Sequence, residues 1–245
     1  MASLLKRVKR NLKKTTGGLI RRAAASRSPL VRERIAPALS YLDAIIVDYG
    51  FTRAVYGNRH RVGADVWRSG QPGPRQIGWF AKRGVKTIIN LRGDQTPGVR
   101  WLQEQACARH GVRLVDFKLR SRAAPTRDEL FAMRDLLSNV EYPILLHCKS
   151  GADRAGLMSV IVRHERDAAP ISEARRQLSL RFGHIRQADT GILDAVFDRY
   201  VEDDARERIE FWDWVATKYD SSEIERSFKT RAWANRLVNG VLRRE

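Results

Sequence analysis

The chain has 245 residues, 43% of them hydrophobic, and a formal net charge of +18 from 46 Lys and Arg against 28 Asp and Glu. That length and apolar content suit a globular chain with a full core, one catalytic domain with extensions rather than two domains. Two cysteines, Cys107 and Cys148, leave no room for a disulfide framework and have no metal-ligand spacing, so a reduced, cytoplasmic setting is expected.

The charge is concentrated at the start: residues 1–34 hold eleven Lys or Arg and one acid, Glu33, a net +10. Such a balance points to acidic partners such as anionic lipid, nucleic acid or phosphorylated substrates, and a merely solvated tail fits it as well. Leu4, Leu5, Val8 and Leu12 recur at helical spacing, with Lys6, Arg7, Lys9, Arg10, Lys13 and Lys14 on the remaining surface. This is the pattern of a basic amphipathic helix lying on an anionic membrane surface, here the inner membrane face. Lys6-Arg7 interrupts Leu4-Leu5, so no signal peptide is expected, and Leu39–Tyr49 carries Asp43 and Asp48 and is too short to span a bilayer. Residues 1–38 therefore read as basic tail and linker, the linker being the Gly-, Ala-, Ser- and Arg-rich run from Thr15 to Pro37. Residues 39–61 read as a helical lead-in whose aromatic segment packs against the domain.

A folded domain is expected over 62–201. Asp65-Val-Trp-Arg-Ser-Gly-Gln-Pro72 reads as a strand and a turn. A helix near 74–83, a strand at 87–91, a turn at Arg92-Gly-Asp94, a helix near 98–110, a strand at 112–119 and a helix near 126–137 follow. Short apolar strands alternating with helices predict an α/β fold, a central parallel-rich sheet flanked by helices, with ligands at the carboxyl ends of the strands. Beyond residue 153 the pattern is helical, near 154–166, 171–182, 190–200, 204–219 and 222–241, and 202–245 form a helical C-terminal extension. Its last stretch, Arg231–Arg244, is basic again, while Trp212, Trp214 and Tyr219 are spaced as a packing face; Cys107, in Ala-Cys-Ala on a helix, reads as core.

The most informative stretch is Pro143-Ile-Leu-Leu-His-Cys-Lys-Ser-Gly-Ala-Asp-Arg-Ala-Gly-Leu-Met158, which reads as strand, tight loop and helix. Successive amides of Lys149, Ser150, Gly151, Ala152, Asp153 and Arg154 would form an anion nest at a helix N-terminus, a place for a phosphate. Cys148 at its entrance would feel the same field, which favours a nucleophilic thiolate. Arg154 offers a planar fork to two phosphoryl oxygens, Gly151 lets the backbone curl, and His147 is placed to orient the loop.

His147-Cys148 through Arg154-Ala155-Gly156 resembles the phosphate-binding loop of the cysteine-dependent protein tyrosine and dual-specificity phosphatases. The phrase around Trp67-Arg68-Ser69 is similar to the first strand of atypical bacterial and fungal dual-specificity-like members, which brings Arg68 toward the site, although a structural turn explains it equally well. Two departures stand out. The loop that carries the general acid in relatives is here Arg120–Pro125, without a carboxylate, and Ala155 replaces a Ser or Thr whose hydroxyl assists departure of the thiolate. Asp116 lies at a suitable sequence distance but mid-strand, and Asp128 belongs to a helix start, where capping is the ordinary explanation. Cys-x-x-Gly-x-Asp-Arg resembles the loop of myotubularin-type lipid phosphatases, which makes Asp153 a candidate acid; pairing with an arginine or capping the helix is the rival explanation. His184, Arg186 and Gln187, between two helices, either line the site and position water or serve a polar turn.

The resemblance implies a phosphate monoesterase that works through a phosphocysteine without metal or organic cofactor. Phosphotyrosine protein is the family's default substrate, and a phosphoinositide-like or other envelope phospholipid is the rival. A nucleic-acid partner, as in an RNA 5′-phosphatase, rests on charge alone, and a non-catalytic phosphate-binding, membrane-associated module is the reading from a different class.

Overall fold

The computed structural model of the chain describes residues 2–48, 57–93 and 95–230, with side chains from residue 11 onward except residue 12. The expected turn residue Asp94 and the basic stretch 231–244 lie outside the described residues, as do 49–56 of the lead-in and the side chains of Leu4, Leu5, Val8 and Leu12. The chain divides into two compact units. The first comprises Met1–His60, Asp65–Lys118 and Glu141–Ser150, the second Arg61–Ala64, Leu119–Val140 and Gly151–Glu245.

The first unit holds the sheet. Its strands are β1 (His60–Arg61), β2 (Val66–Ser69), β3 (Thr87–Arg92), β4 (Arg113–Leu119) and β5 (Ile144–His147), in the spatial order β1-β2-β5-β3-β4. β5 is parallel to both neighbours, with Val66 and Thr87 opposite Ile144, and Ser69 and Asn90 opposite His147. Every residue of β3 and β5 is buried, as expected of central parallel strands, and β3 spells Thr-Ile-Ile-Asn-Leu-Arg with β-branched residues leading. The fold is α/β, a parallel-rich sheet flanked by helices, with helical extensions at both ends.

Three helix starts carry clear local signals. α3 (Pro74–Ala81) and α4 (Pro97–His110) open with proline, where a missing N–H is harmless, and α4 closes on Gly111 in the left-handed region, φ 63°. α5 (Arg127–Asn139) has a capping box: Thr126 Oγ accepts from the Glu129 amide at 3.1 Å, and Glu129 accepts from the Thr126 amide at 2.7 Å. Asp128 lies in that first turn, the position expected for a capping charge.

Several sequence expectations need correction. The segment 15–37 is not a linker: α1 runs Ala2–Ala24, and residues 29–47 are helical, α2 (Ala36–Leu42) being flanked by π-helical turns Val31–Ile35 and Asp43–Val47. Gly17, which looks like a breaker, is a packing residue, because a Cβ there would sit 2.7 Å from Pro97 Cγ. The lead-in helix does pack on the domain, but through its small and polar side: Ala36, Ser40, Asp43 and Val47 are buried. Asp43 caps α4 by accepting from the Gly98 amide at 2.8 Å and also accepts from Thr16 at 2.9 Å. Gly98 permits this approach, since a Cβ would lie 2.6 Å from the Ser40 carbonyl.

In the second unit, α6 (Asp153–Asp167) is followed by one short turn, α7 (Ile171–Ala174), instead of a helix to 182. Two 3₁₀ turns, Arg175–Gln177 and Leu180–Phe182, then lead to Gly183 at φ 74°. The predicted 190–200 helix extends as α8 (Ile192–Glu207), and α9 (Phe211–Thr217) restarts after Arg208, whose φ of 51° breaks the run. Gly191, just before α8, has no room for a side chain: a Cβ would fall 1.9 Å from the Arg186 carbonyl oxygen. The expected aromatic face is core, with Trp214 and Tyr219 buried and rings of Tyr200, Phe211 and Trp214 in mutual contact. Among the described residues no helix is long and apolar enough to cross a membrane.

Candidate active site

The chain leaves the sheet at Cys148, which is 1% exposed, and enters α6 at Asp153. The loop between them is anchored by its carbonyls. In the first unit the Lys149 carbonyl accepts from the Gln71 amide at 3.2 Å and the Ser150 carbonyl from the Asn58 side-chain amide at 2.9 Å. Asn58 is buried in the left-handed region, φ 45°, and its own oxygen accepts from His60 Nε2 at 3.0 Å. In a planar trans peptide the N–H points opposite the C=O. The amides of Ser150 and Gly151 are thereby turned to the other side of the loop, the orientation that an anion nest requires. Gly151 takes φ 79°, a conformation that a side chain would strain.

His147 is fully buried on β5. Its Nε2 lies 2.6 Å from the Gln103 amide nitrogen and its Nδ1 3.4 Å from the Cys148 carbonyl, which assigns the Nδ1–H tautomer: the ring accepts from Gln103 and donates to Cys148. Behind it runs a buried polar network that sequence reading missed. Gln103 Oε1 accepts from Gln95 at 2.8 Å and Gln71 at 3.3 Å, and Gln71 Oε1 accepts from Arg92 at 2.9 Å. Arg92 grips Asp48 with two hydrogen bonds of 2.7 and 3.0 Å, both side chains nearly inaccessible. The one available signal was Gln103 itself, a polar residue among Val99, Leu102 and Ala106 on the buried stripe of α4.

In the second unit the structure brings together two residues singled out separately. Asp153, the first residue of α6, accepts from His184 Nδ1 at 2.8 Å, and Asp194, in the first turn of α8, accepts from His184 Nε2 at 2.6 Å. Burial opposes charging of this imidazole, but hydrogen bonds and charge from the two carboxylates outweigh it and raise its pKa from about 6.5 to about 9. At neutral pH His184 is an imidazolium clamping two helix starts, whose dipoles favour the aspartates. A group whose folded pKa is raised stabilises the fold fully below its unfolded pKa and loses that contribution as pH climbs through the folded value. The thermal midpoint is thus expected to fall between pH 6.5 and 9, by a free energy on the order of 3 kcal/mol. His184→Gln should flatten this slope; a wild-type slope retained in the variant would remove the clamp from the account.

The other candidates are dispersed. Asp116 is exposed on the edge strand β4, held by Asn90 at 2.7 Å and by Arg100 at 2.6 Å. Arg68 is fully buried on β2 opposite Leu146, and Gln187 is exposed between Gly183 and Asp189. Arg154 is the second residue of α6 and half-buried. Cys107 is core, packed with Ile77, Phe80, Ile88 and Leu145, and burial pushes its thiol up to about 11. The loop of Arg120–Pro125 is tied down within the second unit, the Pro125 carbonyl accepting from the Tyr219 hydroxyl.

A family model described as "DSP-PTPase phosphatase fused to NAD+ Kinase" matches residues 53–191. Among curated relatives, the dual specificity protein phosphatase TpbA of Pseudomonas aeruginosa is 24% identical over 141 residues, 57% of this chain and 53% of that protein. Inositol diphosphatase DSP4 of Arabidopsis thaliana is 29% identical over 103 residues, 40% of this chain and 50% of that one. The chain thus spans about half the length of these relatives. The crystal structure of P. aeruginosa TpbA superposes with a TM-score of 0.47 at 18% identity, covering 70% of this chain and 90% of that one.

Proposed function

The chain belongs to this DSP-PTPase phosphatase family, and on that footing we propose that it hydrolyses phosphate monoesters through a phosphocysteine formed on Cys148. The observation that carries the proposal is the loop's construction: two carbonyls held back by Gln71 and Asn58, Gly151 in the left-handed region, and a helix start immediately after.

In the proposed reaction the Cys148 thiolate attacks phosphorus in line, the P–O bond to the leaving group breaks, and loop amides with Arg154 hold the equatorial oxygens. Lys149 adds a cation beside the phosphate. The departing alkoxide takes a proton from Asp153, which draws it in turn from the His184 imidazolium hydrogen-bonded to it. Water then attacks the phosphocysteine and gives a proton back to the Asp153–His184 pair, while the S–P bond breaks and the thiolate is restored. With Ala155 in place of a hydroxyl residue, Ser150 and backbone amides are the groups left to ease the thiolate's departure.

For substrate, a phosphorylated protein is the leading reading, in line with the name of the Pseudomonas relative. The phospholipid or inositol-phosphate reading gains support from a cleft of about 510 Å³ in the second unit, lined by Arg175, Arg176, Arg181 and Arg186. Its aspartates are already engaged, Asp194 by His184 and Asp198 by Arg175 and Arg186, so added anionic groups would meet surplus positive charge. The purified protein should hydrolyse a chromogenic aryl phosphate equally with and without chelator, and a panel of phosphopeptides, inositol phosphates and phospholipids should rank its substrates. An inert protein that still binds phosphate esters would mean a non-catalytic binding module.

The proton donor has its own test. Asp153→Asn should slow alkyl phosphates by about 10²–10⁴-fold and an aryl phosphate with an acidic phenol far less, because that leaving group needs little protonation. Equal slowing of both would make Asp153 structural. Leaving-group dependence in Asp116→Asn instead would move the role to Asp116.

A further inference from the structure

The lead-in helix is built inside out. Its protein-facing side is Ala36, Ser40, Asp43 and Val47, while Ile35, Tyr41, Leu42, Ile45 and Ile46 are 43–60% exposed. Positions 35, 42, 45 and 46 repeat at helical spacing, so the outward groups form one ridge rather than scattered residues. Leu42 and Ile46 line a hollow of about 130 Å³ with Leu19 and Leu39, and Tyr41 and Ile45 line a larger cleft of about 550 Å³. Leu19 of α1 thus shares one hollow with two residues of the ridge.

The exposed charge of the described residues 11–48 is almost all positive. Lys14, Arg21, Arg22, Arg27, Arg32 and Arg34 are exposed, whereas Glu33 is the one exposed acid among described residues 11–48, because Asp43 and Asp48 are buried in the contacts above. A second copy of this chain would bring like charges together. A surface with apolar depth and negative headgroups complements both properties at once.

We propose that the ridge formed by Ile35, Leu42, Ile45 and Ile46 inserts into the interfacial region of an anionic lipid bilayer, with the neighbouring arginines on the headgroups. Insertion makes this helix a membrane anchor that lies in the surface plane. The basic tail supplies attraction, and the ridge supplies the salt-resistant part of binding. The inference does not depend on the catalytic reading.

Full-length protein would be sedimented with phosphatidylcholine vesicles with and without one-third phosphatidylglycerol, at low and high salt, and compared with the triple variant Leu42→Gln, Ile45→Gln, Ile46→Gln. These side chains are exposed, so the variant should keep the wild-type melting curve. It should bind anionic vesicles at least tenfold more weakly and lose the fraction that resists salt. Wild-type protein that ignores anionic vesicles, or a triple variant that binds as wild type does, would overturn the proposal. So would a wild-type dimer, seen by light scattering, that the variant splits, because a second copy would then cover the ridge.

Discussion

Cys148→Ser is expected to lower turnover of an aryl phosphate by about 10⁴-fold or more while binding of the ester stays within a few-fold of wild type. A hydroxyl fits the same place at the loop entrance and preserves the amide cradle, but it is a far weaker nucleophile than a cysteine sulfur. The loop is held through the Cys148, Lys149 and Ser150 carbonyls, none of which the substitution touches. Stopped assays at matched protein concentration, with direct binding of a phosphotyrosine analogue by calorimetry, separate chemistry from binding. Cys107→Ser is the matching control: that thiol sits in the apolar cluster with a pKa near 11, so its replacement should affect stability and leave turnover intact. Activity of Cys148→Ser within tenfold of wild type would reject a phosphocysteine mechanism.

Arg154→Lys is expected to cost about 10²–10³-fold in kcat/KM, the scale seen when one donor to a developing charge is lost. Lysine keeps the charge, so a large loss would report on geometry: a point charge cannot replace two parallel N–H groups aligned on two phosphoryl oxygens. Arg154 is the second residue of α6, directly after Asp153, whose carboxylate is fixed by His184. The His184 clamp should therefore position this arginine as well, and His184→Gln should show a milder loss of kcat/KM alongside its altered pH-stability profile. An Arg154→Lys enzyme with unchanged kinetics would show that the arginine does not hold the phosphoryl group.

Much of the fold was legible in sequence because its signals are local. The run Ile144–His147 is a strand because four apolar or buried residues in succession fit a central parallel position. Thr126 with Glu129, Pro97 with Gly111, and Cys148 followed by Arg154 at the head of α6 each announce themselves within a few residues. The boundaries of α8 and α9 were not legible, because the break depends on Arg208 adopting φ 51°, which no local residue preference demands. The 15–37 segment was misread for a related reason: Gly17 and Gly18 suggest a breaker, but packing of Gly17 against Pro97 rewards helix there.

By itself the sequence determined the alternation of strands and helices, the strand-loop-helix around Cys148, the glycine at the loop's turn and the surplus of charge in residues 1–34, because hydrophobic period, caps and turn residues act over a few bonds. Only the tertiary structure decided which distant polar groups meet. Gln71, Gln95 and Gln103 converge behind His147 with Arg92 and Asp48, and His184 joins Asp153 to Asp194 across 31 and 10 residues. It also decided that the lead-in helix turns Asp43 inward and Leu42, Ile45 and Ile46 outward. The physical reason is the same in each case: a buried polar group must find a partner, and at the start of α4 the Gly98 amide finds Asp43.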